Sequence, residues 1–188
     1  WQPDLLVRDF TVPPDVRLPD LVTLPDLSSA YPAPHMALPQ VVNAGGPRLI
    51  NPRLYSVTFN GDAAAAALDA YVAALPKSAW WTAVMTDYGV GAGTVANAIH
   101  LAENAPNRID DAAVQTWLAG KLDGTHPEFG QPDKNSLYIL EYPSTTTITM
   151  QGAASCQQFG GYHSSTVLGN GQYVAYAVIA RCRADALN

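Results

Sequence analysis

The side chains best suited to chemistry in this sequence are its four histidines, His35, His100, His126 and His163. A common type of zinc hydrolase places His-Glu-x-x-His on one helical turn, so that both imidazoles bind one metal and the glutamate activates water. None of the four histidines is followed by glutamate, and no two of them are four residues apart. The sequence therefore predicts no metal site of this kind within the chain, and we assign no metal ligand.

Two of these histidines have simpler interpretations. His126 and Glu128 lie two residues apart and could meet a metal, but two ligands in a surface loop are more often solvated. His100 lies in the apolar segment AIHL, which predicts a hydrogen-bonded core residue. The acidic residues that could assist proton transfer are scattered and predict no pairing: Asp87, Glu103, Asp110, Asp111 and Glu141.

His163 lies in the motif GGYHSS at 160–165. Two glycines allow close approach of the backbone, and an aromatic ring, an imidazole and two hydroxyls follow. A serine next to a histidine in sequence is not a nucleophile–base pair, because the fold must bring the two together. Two interpretations remain open: a turn in which His163 caps backbone groups, or a direct catalytic role for His163 as a residue of a cleft. The catalytic residues are unknown.

The segment GVGAG at 89–93 resembles a phosphate-binding loop only superficially. A dinucleotide fingerprint follows a strand and has a different glycine spacing, whereas this segment follows a predicted helix. We interpret it as a flexible loop without a nucleotide.

The elements that must position these residues follow from hydrophobic periodicity and helix caps. Strands are predicted at 53–59, 98–101, 136–142, 145–150 and 172–180. Helices are predicted at 63–76, after a Ser78 cap, and between the Asp110 cap and Gly124. This alternation predicts an α/β fold, a mixed β-sheet flanked by helices.

The chain before this body has a different composition. Ten of the fifteen prolines lie between Pro3 and Pro52, and LPDL occurs at both 18–21 and 24–27. Proline excludes helix here, while apolar side chains such as Leu21, Val22, Leu24 and Leu27 favour contact with a surface. Residues 1–46 are predicted to be an extended arm that packs on this domain or on a neighbour, or else a flexible stalk. Residues 47–188 are predicted to form one domain.

Composition favours export. Only 14% of residues are charged and the start of the chain is rich in proline, and both features favour export. The net charge is −6. Because the sequence begins at Trp1, without an initiator methionine or a basic segment, it is predicted to be a processed or trimmed mature form. No segment is apolar for long enough to span a bilayer, and the charge argues against nucleic acid as a partner. Cys156 and Cys182 would form a disulfide in an oxidising compartment; the alternative is two buried thiols in a cytosolic protein.

Three segments resemble a family of secreted bacterial proteins, common in myxobacteria and actinobacteria, that look like zincin-type metallopeptidases. These are NSLYILEYP at 135–143, SCQQFGGYH at 155–163 and YVAYAVIARC at 173–182. The family is distantly similar to the plant phosphate-induced, EXORDIUM-like extracellular proteins.

The resemblance implies a zincin-like N-terminal half and a metal-binding helix that begins Ser-His-Glu after the second cysteine. This chain has no such motif, so only Cys156, His163 and Cys182 carry over. Two functions follow as hypotheses. One is the N-terminal portion of a secreted zinc-peptidase-like protein whose metal-binding part lies on a continuation or a second polypeptide. The other is a non-catalytic extracellular domain that adheres or assembles through its apolar arm.

The zinc content of the 188-residue chain provides a test. A catalytic site needs three protein ligands and a structural site needs four, so the chain alone is expected to bind no stoichiometric zinc. Elemental analysis after dialysis would measure this. One tightly bound zinc per chain, retained in His163→Ala, would contradict the prediction.

Overall fold

The computed structural model describes residues 48–86 and 88–183. All of them belong to the second of the two units into which the chain divides, Gly46–Asn188. The predicted arm at 1–46, with His35 and the repeated LPDL segments, lies outside the described residues, and so does Asp87.

Nine strands are present in the described part of the chain: β1 (Arg53–Thr58), β2 (Thr94–Val95), β3 (Ile99–His100), β4 (Arg108–Asp110), β5 (Ser136–Tyr142), β6 (Thr147–Met150), β7 (Ala153–Ala154), β8 (Gly161–Val167) and β9 (Tyr173–Ala180). The main sheet has the order β2-β1-β5-β9-β8, and β3 also pairs with β1. All its pairings are parallel except that of β8 with β9. A smaller sheet has the order β4-β6-β7.

Three α-helices accompany the sheets: α1 (Ala65–Ala74), α2 (Ala79–Thr86) and α3 (Asp111–Lys121). Short 3-10 turns follow α1 at Leu75–Lys77 and α3 at Pro127–Phe129. The Asp110 side chain accepts a hydrogen bond from the Ala113 amide at 2.8 Å, and the Ser78 hydroxyl accepts one from the Trp81 amide at 3.1 Å. Both predicted caps are therefore confirmed.

The two faces of the main sheet carry separate apolar clusters. Alternate residues of β1 and β5, among them Val57 and Leu140, join a large cluster that includes Val114 and Leu118 of α3. The opposite face contributes Leu54 and Ile139 to a small cluster with α1 and α2. Because parallel strands are normally buried on both faces, helices are needed on each side. The α/β fold with a mixed sheet flanked by helices is confirmed.

The segment 160–165 differs from the predicted turn or loop. Gly161–Val167 is a full strand, β8, whose seven residues pair with β9 in antiparallel register. Most of β8 is exposed, so its sequence lacks the apolar alternation that reveals a strand. The ladder with β9 decides its conformation, and the glycines mark where the strand starts.

Cys156 and Cys182 form a disulfide, with their Cα atoms 5.2 Å apart. The bond ties the turn before β8 to the residues directly after β9. It therefore holds together the two open ends of the β8–β9 hairpin.

None of the helices within 48–86 and 88–183 combines the length and apolar character needed to cross a bilayer.

Removal of the disulfide is expected to destabilise the fold. Replacing both cysteines by alanine reopens a loop of 26 residues, which costs about 3 kcal/mol by the loop-entropy estimate. Urea denaturation would measure the loss, and hydrogen exchange should show β8 loosening more than α3. Two reactive thiols in freshly purified, unreduced protein would contradict the bridge.

Candidate functional site

A groove of about 580 Å³ opens between helices α1 and α2 and one face of the main sheet. Its volume falls in the range of small-molecule sites, roughly 300–1,000 Å³. Its lining is mostly apolar and aromatic, and among the described lining residues only Glu141 is ionisable at neutral pH.

Helix α1 supplies one wall of the groove. Four residues at the i, i+3, i+4, i+7 spacing of one helix face line the groove: Leu68, Tyr71, Val72 and Leu75. Of these, Val72 is buried whereas Tyr71 is 64% exposed, so only part of this helix face reaches the core. The same face of α1 therefore contributes to the core and forms one wall of the groove.

Helix α2 supplies a pair of indoles. Trp81 is buried against Leu54 and Ile139, while Trp80 beside it is 55% exposed at the groove. The Ser78 cap fixes the first turn of this short helix and thereby the direction of both side chains.

The GVGAG segment positions Trp81. The Trp81 indole Nε1 donates a hydrogen bond to the Gly91 carbonyl at 3.3 Å, and the Gly91 amide donates to the Ile50 carbonyl at 2.7 Å. A Cβ at Gly93 would lie 2.9 Å from Pro76 and 3.0 Å from Trp81. The glycines here permit close packing against α2.

Strand β5 forms the floor. Alternate residues point to the same face, so Leu137, Ile139 and Glu141 follow one another along the groove. In the neighbouring strand β9, Ala177 pairs with Ile139 and Ile179 pairs with Glu141. The acidic residue Glu141 therefore follows Leu137 and Ile139 on the same apolar face of β5.

Glu141 is only 2% exposed, and its Oε2 has no hydrogen-bond partner among the described residues. The pKa of this carboxyl group is raised to about 7; burial is the main cause, Arg181 opposes it, and the nearby carboxylates of Asp62 and Asp69 add to the rise. The desolvation effect is the largest, because a charged carboxylate loses its water without gaining a donor.

Arg181, the cation whose charge acts on Glu141, already has a partner. The guanidinium of Arg181 donates to the Asp62 carboxylate, and its Nε donates to the Tyr142 carbonyl at 3.3 Å. Asp62 also accepts from the Ala64 amide at 2.9 Å, close to the start of α1. This ion pair therefore joins the end of β9 to the loop that leads into α1.

A second polar cluster lies beside the carboxyl end of β1. The His100 Nε2 is 3.2 Å from the Asp69 carboxylate, and its Nδ1 is 2.8 Å from the Thr58 hydroxyl. The Ser56 hydroxyl donates to the other oxygen of Asp69 at 2.8 Å. Carboxylate, imidazole and hydroxyl follow in the order of a catalytic triad and line a cavity of about 560 Å³, but Thr58 is fully buried. The cluster therefore fastens α1 and β3 to β1.

His100 is hydrogen-bonded as predicted, but it is not a core residue, since its side chain is 55% exposed. The error arises because β3 is a two-residue strand at the sheet edge. His126 and Glu128 are exposed and 3.1 Å apart, forming an ion pair when the imidazole is protonated. In the part of the chain that the structure describes, no three metal-binding side chains gather in one place.

His163 lies on β8, paired with Ala177, and is exposed. It shares a sheet face with Ala177 but is absent from the groove lining. Sequence reasoning named Glu141 only as one of several scattered acids and did not single out Asp69. The available signal was a lone carboxylate inside the apolar run SLYILEY, which indicates a buried ionisable group.

Comparison of the chain with protein-family models, characterised proteins and solved structures gives no match. The resemblance stated from the sequence therefore stays a prediction.

The raised pKa of Glu141 predicts a measurable pH dependence of stability. Between pH 4.5 and about 7 the unfolded chain has released a proton that the folded protein keeps, so stability falls as the pH rises. Glu141→Gln removes this effect and should be about 3 kcal/mol more stable than the parent at pH 8, with little difference at pH 4. Urea denaturation at both pH values would measure it.

Glu128→Gln is the matched control, because Glu128 is exposed and its backbone hydrogen bond lowers its pKa. This variant should gain no stability at pH 8. Equal behaviour of the two variants would show that Glu141 is not buried as an unpaired acid.

Proposed function

We propose that this protein is a secreted, non-catalytic binding domain that holds an apolar ligand in the groove between α1, α2 and the main sheet. The observation that carries the proposal is the groove itself, with its apolar floor on β5 and its aromatic walls. Binding pockets combine this kind of apolar lining with a small number of polar groups.

The exposure of the aromatic side chains supports the proposal. Tyr71 and Trp80 are more than half exposed. A ligand that covered their rings would remove apolar surface from water, which is favourable. One further apolar side chain, Ile179 on β9, is 38% exposed and lines the same groove. Exposed apolar side chains that line one groove mark an interaction site.

Secretion is supported by the disulfide and by the low content of charged residues. A bond between Cys156 and Cys182 persists in oxidising surroundings and is rare in the cytosol. With 14% charged residues, the surface depends on neutral polar groups for its solubility.

The alternative, an N-terminal portion of a zinc-peptidase-like protein, rests on the resemblance. The resemblance implies a mixed sheet, and the main sheet is mixed. Adhesion or assembly through residues 1–46 also remains a prediction, because that segment lies outside the described residues.

The binding function predicts that an uncharged apolar fluorophore, N-phenyl-1-naphthylamine, binds the full chain with increased emission. Trp80→Ala should weaken this binding about tenfold, since one aromatic contact of roughly 1.4 kcal/mol is lost. Fluorescence titration would measure both affinities.

Tyr173→Ala is the control, because Tyr173 is an equally exposed aromatic residue outside the groove lining. Its affinity for the fluorophore should match that of the parent. The proposal fails if the parent does not bind the fluorophore, or if the two variants lose affinity equally.

A further inference from the structure

The groove has one polar feature that its apolar lining does not explain. The Glu141 carboxyl group lies at the end of the floor, 2% exposed, with Oε2 lacking a hydrogen-bond partner among the described residues. A buried polar atom without a partner costs roughly 1–3 kcal/mol, and more when it is charged. A ligand with a hydrogen-bond donor at this point would remove that cost.

The charges around Glu141 favour the binding of a cationic ligand. Three carboxylates interact at this end of the sheet, those of Glu141, Asp62 on the loop before α1, and Asp69 on α1. Arg181, after β9, is paired with Asp62. His100, on β3, lies 3.2 Å from Asp69. Carboxylates therefore outnumber cationic groups, and Glu141 is the carboxylate without a partner in the described structure.

The hydrogen-bonding chemistry of a carboxylate indicates which class of cationic ligand fits this position. An ionised carboxylate only accepts hydrogen bonds, whereas a primary ammonium group only donates them and has three protons to donate. A charge-assisted hydrogen bond between the two is about twice as strong as a neutral one. A ligand ending in a carboxylate or phosphate would instead meet like charge in an apolar environment, which is unfavourable.

We propose that the groove selects apolar ligands carrying a protonated primary amine, whose ammonium group binds the Glu141 carboxylate while the apolar part lies on Leu137 and Ile139 between Tyr71 and Trp80. This inference rests on the proposed function, because it specifies the ligand class for the same groove. Ammonium binding ionises Glu141, so a proton is released wherever the carboxyl group is protonated in the free protein.

The test compares three ligands that share one chain and differ in the head group: n-octylammonium, n-octanol and n-octanoate. Calorimetric titration of the full chain at pH 8 is expected to show n-octylammonium binding at least tenfold more tightly than n-octanol, and n-octanoate more weakly than both. The affinity for n-octylammonium should fall as the pH is lowered through 7, whereas that for n-octanol should not.

Two variants assign the selectivity to Glu141. Glu141→Gln should bind n-octylammonium and n-octanol with affinities within about threefold of each other, and its affinity for n-octylammonium should not depend on pH. This result would exclude His100, Asp62 and Asp69 as the source of the selectivity and of its pH dependence. Ile179→Lys places an ammonium group opposite Glu141 in the β5–β9 register, and should lose n-octylammonium binding relative to Ile179→Met.

The results of these titrations distinguish the proposed apolar binding function from the proposed selectivity for amines. Equal affinity of the parent for n-octylammonium and n-octanol would overturn the amine selectivity and leave the apolar binding function intact. No binding of any of the three ligands would overturn both. Selectivity that persists in Glu141→Gln, or n-octylammonium binding that persists in Ile179→Lys, would show that the ammonium binds elsewhere.

Discussion

The parallel pairing of β1 with β5 is the constraint on which the rest of the structure depends. The six paired positions, from Arg53 with Ser136 to Thr58 with Glu141, fix which side chains share a face. A shift of one residue would exchange the two faces entirely. In the observed register, Val57 and Leu140 pack under α3, while Leu54, Ile139 and Glu141 lie on the side of α1 and α2.

The two faces of the sheet are covered unequally. The face toward α3 is closed by that helix and by Ile148 of the small sheet, and it carries the larger apolar cluster. On the other face, α1 and α2 pack against Leu54 and Ile139, whereas Ile179 on β9 stays partly exposed. The groove lies where helical coverage ends, and its shape follows from two short helices lying on a wider sheet.

Glu141 is tolerated in this position because the surrounding structure is held independently of it. The Arg181–Asp62 ion pair and the Asp69–His100–Thr58 hydrogen bonds connect α1, β3 and the end of β9 to β1. These contacts fix the groove walls without a hydrogen bond from the Glu141 carboxyl group. Buried groups with a shifted pKa of this kind are more common at functional sites than elsewhere.

Local signals in the sequence were sufficient for much of the fold. The β5 strand at 136–142 and the Ser78 and Asp110 caps were predicted correctly, because alternation and side-chain capping act over a few residues. Strand β8 was missed, since its polar residues form a strand only through pairing with β9. The groove was missed for a similar reason: it depends on how far α1 and α2 extend across the sheet. The lone carboxylate in SLYILEY signalled a buried acid, but not which face it occupies.

The most direct test of this account is the titration of the Glu141 side chain by ¹³C NMR of the free protein, with Glu141→Gln used to assign the resonance. The account predicts a carboxyl resonance that titrates with a pKa of about 7, because the group is buried without a donor. A Glu141 resonance that titrates near 4.5, the ordinary value for glutamate, would show a solvated or paired carboxylate and contradict the account.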